Sequence, residues 1–131
     1  MGHRVTVDDL ALMIRTALDA AGKTKVPVVA PGTHETVIPA VAIQPGDDEV
    51  LDGNRVREGY EIVILVPRNQ QPEQYEHLCE LRNIVLVSLY PSPVRIDGPI
   101  LFDTRGGDGS GDAPAQAKTI PVSFTVDVDI C

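Results

Sequence analysis

The chain has 131 residues, 43% hydrophobic and 23% charged, a balance that fits one folded domain with its own core and excludes a disordered or membrane-embedded chain. A net charge of −8 excludes a surface built to grip phosphate backbones, because that affinity comes largely from clustered Lys and Arg. With 4% aromatic residues and no Trp, a base-stacking platform is excluded as well.

The longest apolar stretches, residues 62–66 and 84–89, fall far short of the ~20 residues that cross a bilayer. Residues 1–9 carry Arg4, Asp8 and Asp9 and lack the apolar block of a secretory signal, so synthesis in a cytoplasm is expected. Cys79 and Cys131 are too few for a disulfide framework and read as free thiols.

Thr6 followed by Asp9 forms a capping pair, and Leu10, Met13, Ile14, Ala17, Leu18 and Ala21 recur at three- and four-residue spacing up to Gly22. This predicts an amphipathic helix over residues 7–21 with a left-handed glycine stop, its apolar stripe serving the core. Residues 26–45 are β-prone but hold four prolines, which cannot donate to a central ladder, so an edge strand is expected over 37–43. A solvated loop follows over 46–53, bearing Asp47, Asp48 and Glu49. These three acids lack the alternating spacing and distal Glu of a calcium loop, and no metal is assigned to them.

The run Ile-Val-Ile-Leu-Val over 62–66 predicts a central strand covered on both faces, in which truncating Leu65 would cost roughly 2–5 kcal/mol. Pro72 suits a first helical position, and the apolar spacing from Tyr75 through Leu78, Val85 and Leu89 predicts a second helix ending near Leu89. Cys79 falls on its apolar side and reads as a packing residue; His77 points elsewhere on that helix. A third, interrupted strand is expected over 94–102, with a turn at Asp97 and Gly98.

Residues 103–117, rich in Gly and Asp, read as a flexible connection that carries Arg105, Asp108 and Asp112. Their glycines are followed by no Lys-Ser/Thr pair and make no phosphate cradle, and a calcium site at Asp103, Asp108 and Asp112 is the weaker reading. Finally, Ile120, Val122, Phe124, Val126, Val128 and Ile130 alternate with Pro121, Ser123, Thr125, Asp127 and Asp129, the period of a long half-buried strand. The paired acids Asp127 and Asp129 read as a solvated face rather than as acid–base catalysts.

Together these elements predict a single α+β domain: a two-layer sandwich with a four-stranded mixed or antiparallel sheet, two helices on one face, and the order helix, strand, strand, helix, strand, strand. The other sheet face is left uncovered, and another subunit is expected to cover it. No catalytic, cofactor or metal constellation emerges. The chain is therefore expected to work by binding other proteins, without a cofactor and without enzymatic activity.

This layout resembles the tail terminator (tail-completion, minor tail) proteins of long-tailed phages. The matching pieces are the helix over 7–21, the stretch Val-Ile-Pro-Ala-Val-Ala-Ile-Gln-Pro over 37–45, Gly-Tyr-Glu-Ile-Val-Ile-Leu-Val-Pro over 59–67, residues 74–89 and residues 119–130. The resemblance implies a hexameric ring at the head–tail junction of a virion, contacting the tail tube protein and the head–tail connector protein. DNA would pass through its channel without specific binding. Asp47, Asp48, Glu49, Arg105, Asp108 and Asp112 are the candidate partner-contact residues, since loops on a rigid scaffold commonly carry binding. Three alternatives compete: another neck or head-completion protein, a small enzyme or hydrolase using His34 with Glu35 or Asp127 with Asp129, and a small binding module.

Overall fold

The computed structural model describes residues 7–29, 39–68, 72–90, 94–105 and 114–127. Helix α1 (Val7–Ala20) is followed by strands β1 (Val28–Val29), β2 (Ala40–Pro45), β3 (Glu49–Asp52) and β4 (Arg55–Pro67). Helix α2 (Pro72–Ser88) then leads to β5 (Arg95–Ile96), β6 (Leu101–Arg105) and β7 (Ala115–Asp127).

The expected four-stranded sheet in the order αββαββ is overturned: among the described residues, two helices accompany a seven-stranded mixed sheet. Its path is β1-β2-β4-β7-β5, with β3 also on β4 and β6 also on β7. All pairings are antiparallel except β1 with β2. The physical reason lies in two interrupted columns. β4 and β7 pair continuously from Arg55 with Asp127 to Pro67 with Ala115. The outer side of β4 is shared between β2, opposite residues 60–65, and β3, opposite 55–57. Likewise the outer side of β7 is shared between β6 and β5. Gly46–Asp48 breaks the first column, and the supposed loop over 46–53 contains β3 and a hairpin turn at Gly53. The expected strand over 94–102 is two short strands.

Helix α1 stops where Gly22 takes φ +80° and the Lys23 amide donates to the Leu18 carbonyl at 2.8 Å. Arg15 ties down the chain beyond it, donating to the Lys23 carbonyl at 2.9 Å and to the Val26 carbonyl. Thr6 lies outside the described residues, as do Val37 and Ile38.

Alternation along the strands makes two unequal faces. On one, Leu10, Ile14 and Leu18 of α1 and Leu78, Leu81 and Val85 of α2 pack on Val41, Ile43, Ile62, Ile64, Val66, Ile120, Val122, Phe124 and Val126. The second face holds a small buried cluster of Val29, Ala42, Val63 and Ala117, with Leu65 packed against it. No described helix packs there. Leu65 is therefore only half-buried, and the fully buried aliphatics of β4 on the helix side are Ile62, Ile64 and Val66.

Candidate functional site

A concavity among the described residues lies on the second face, at the end of the sheet where β2 gives way to β3. It is an open cleft of about 420 Å³ lined by Asp47, Asp48, Glu49, Arg57, Gly59, Asp97 and Ser123. Its floor is the β4–β7 ladder, where Gly59 stands opposite Ser123. Glycine at that point is a steric requirement. The 46–48 segment crosses directly over β4, and a Cβ on Gly59 would overlap the Asp47 carbonyl oxygen. The crossing is held by the Gly46 amide, which donates to the Gly59 carbonyl at 2.8 Å, and by the Gly59 amide, which reaches Asp48 Oδ1 at 3.4 Å.

The far wall is Asp97, in the connection between β5 and β6. Its amide donates to the Pro121 carbonyl at 2.9 Å, and its carboxylate meets Arg95 Nε at 3.2 Å. On the near wall Arg57 reaches Glu49 Oε2 at 3.4 Å. Four carboxylates thus line the cleft against the guanidinium of Arg57 and that of Arg95, which meets Asp97 from outside the lining, leaving an excess of two negative charges. Ser123 is 2% exposed, and its Oγ has no hydrogen-bond partner among the described residues. A buried hydroxyl without a partner is uncommon, because its desolvation then goes uncompensated.

On the helix side of the same strands, Tyr60 stacks on Phe124, with ring centroids 5.3 Å apart, and donates to Glu58 Oε2 at 2.9 Å. Burial first, then this bond, then the charges of Glu58 and Asp48 push the phenol up to about 12. It stays a protonated donor at neutral pH.

A second surface feature lies at the opposite end of the sheet. β6 has β7 on one side, and no described strand lies on its other side. Its Leu101 is 60% and its Phe102 49% exposed, and Tyr75 of α2 meets the Phe102 ring edge-on at 6.0 Å. Lys118 lies over both rings, 5.4 Å from the Tyr75 centroid and 5.7 Å from that of Phe102.

Of the residues expected from sequence to contact partners, Asp47, Asp48 and Glu49 come together in the cleft. The backbone of Arg105 ends β6 opposite Ala115, eight positions along β7 from Ser123, or about 27 Å. The described parts of the two candidate contact segments, 46–53 and 103–117, therefore lie toward opposite ends of the sheet. Asp108 and Asp112 lie outside the described residues, as do His34, Glu35, Asp129 and the side chain of Asp127. Within 103–117, Asp103 belongs to β6 and Ala115–Ala117 to β7. Cys79 is a half-buried free thiol. Among the described residues no group of three or more His, Cys, Asp or Glu side chains is placed to hold a metal ion.

Sequence reasoning missed Arg57, Gly59, Asp97 and Ser123 as cleft residues. Ser123 did carry a signal, since it lies on the polar side of the alternation in β7; what joins it to Asp47 is a ladder between distant segments. No protein-family model matches the chain, and comparison with curated proteins finds no match.

Proposed function

We propose that the chain is a structural virion subunit of a long-tailed phage, a tail terminator whose ring caps the tail tube and offers a joining surface to the head–tail connector. The observation that supports this most is the exposed apolar edge at β6, where Leu101 and Phe102 stand on a strand with one described neighbour. Folded monomers commonly guard such edges with charge, proline or a covering element, because an open edge is a template for pairing with another chain. A repeated edge-to-surface contact between identical subunits closes into a ring when its rotation divides the circle. The resemblance of the sequence stretches over 7–21, 37–45, 59–67, 74–89 and 119–130 to tail terminators implies six as the number of subunits. The acidic balance of the chain fits a channel through which DNA passes without being held.

Native mass spectrometry over a concentration series, with negative-stain imaging, tests the reading. A closed ring with a central hole is expected, and Leu101→Lys should shift the population to monomers while leaving the circular dichroism spectrum unchanged. A chain that stays monomeric and also ignores isolated tail-tube ends would sink the proposal. Binding to portal rings in preference to tube ends would assign the chain to head completion instead.

A further inference from the structure

We infer that the cleft between Asp47 and Asp97 is a binding site for a guanidinium or primary ammonium group. Two independent observations converge on it. The lining carries four carboxylates against one guanidinium, and the two pairs that involve cleft acids, Glu49 with Arg57 and Asp97 with Arg95, are single contacts of 3.2–3.4 Å that leave carboxylate lone pairs open. At the floor Ser123 Oγ is buried without a partner among the described residues. A carboxylate pocket alone would be content with water. A guanidinium or ammonium carries several N–H donors, so one group can donate to the Ser123 hydroxyl oxygen and to the carboxylates around it at once. The geometry of the strands presets both elements: Gly59 opposite Ser123 leaves the floor bare of a side chain on the β4 side, and the 46–48 crossing carries its acids over that gap.

The inference stands on the cleft alone and does not depend on ring formation. The same chemistry can come from an arginine or lysine side chain of another protein or from a free polyamine. The test is an amide chemical-shift titration of the whole chain, following Asp48, Gly59 and Ser123, with N-acetylarginine amide, its neutral isostere N-acetylcitrulline amide, spermidine and Mg²⁺ as probes. Saturable shifts with the arginine derivative and not with the citrulline one are expected. Asp97→Asn and Ser123→Ala, each checked for an unchanged melting temperature or better, should each weaken binding about threefold or more. Spermidine binding tenfold tighter than the arginine derivative would identify a free polyamine as the source; equal or weaker binding points to a protein side chain. No saturation by either cationic probe up to about 50 mM, a response to Mg²⁺ alone, or unchanged affinity in both variants would overturn the inference. Because a ring could form with the cleft inert, or the cleft could bind in a monomer, this result and the assembly result fail separately.

Discussion

The two faces of β4 are built from the same kind of residue and carry different cover, although Val63 on the second face is as fully buried as its neighbours on the first. Ile62, Ile64 and Val66 look toward the helices and are fully buried in the main core. Val63 and Leu65, interleaved with them, look toward a face with no described helix, where the apolar cluster is small and gives way at Gly59 to a charged cleft. Side-chain chemistry is nearly constant along the run, so what differs is the cover. Helices supply large aliphatic partners, whereas the second face offers only strand neighbours such as Ala42 and Ala117. Buried area and the cavity left by truncation should follow that difference. Ile64→Ala should cost roughly 2–5 kcal/mol, and Leu65→Ala about 1–2 kcal/mol because part of its surface is already in water. Urea unfolding of both variants measures this. Equal losses would mean that the second face is covered as completely as the first.

A smaller but more local effect separates the faces at Gly59. An added methyl group there points at the Asp47 carbonyl oxygen, a backbone atom beside the hydrogen bond from the Gly46 amide to the Gly59 carbonyl. Gly59→Ala should destabilise by about 1–3 kcal/mol. It should also displace the 46–48 crossing, so the amide signals of Gly46 and Asp48 should shift while those of α1 and α2 keep their positions. Shifts spread evenly over both faces would show that the crossing is no independent feature of the second face.

Much of the helix-covered face was legible in the sequence. The spacing of Leu10, Ile14 and Leu18, the glycine stop at Gly22, proline at the start of α2 and the alternation from Ile120 to Val126 are local patterns, and each shows in the elements described. The strand count was not legible, because β3 lies inside the acidic stretch 46–53 that reads as a solvated loop, and the four-residue break at 97–100 looks like a turn within one strand until the register shows a strand on either side. The cleft was half legible. Asp47, Asp48 and Glu49 announce themselves as a run of acids, but Asp97 and Ser123 join them only through the pairing of β4 with β7 and β5 with β7. Arg105 was grouped with the acids because residues 103–117 read as a loop, and the sheet places its backbone in β6 at the far end.

The weakest expected effect tests whether the helical cover can be loosened without touching the cleft. At the edge of the cover Lys23, just beyond α1, meets Glu80 of α2 at 2.5 Å, and His77 lies one turn before Glu80. Burial, and next the charge of Lys23, lower the His77 pKa, with Glu80 opposing them. The folded state therefore binds a proton on His77 less readily than the unfolded chain does. This contribution to stability is complete above about pH 6.5, the ordinary value for an unfolded histidine, and is lost as pH falls from there through the depressed folded value. Glu80 is lowered too, chiefly by its hydrogen bond from Lys23, so its contribution disappears only further down, below the ordinary carboxylate range. Melting temperature should decline in two stages on acidification, and His77→Gln should flatten the first stage and spare the second. Hydrogen exchange at pH 5.5 should then quicken in α2 while the Gly46 and Gly59 amides at the cleft keep their neutral-pH protection once the intrinsic rate is corrected. Quickening at both places together would show that the two faces open as one cooperative unit, and the contrast between them would then belong to packing rather than to stability.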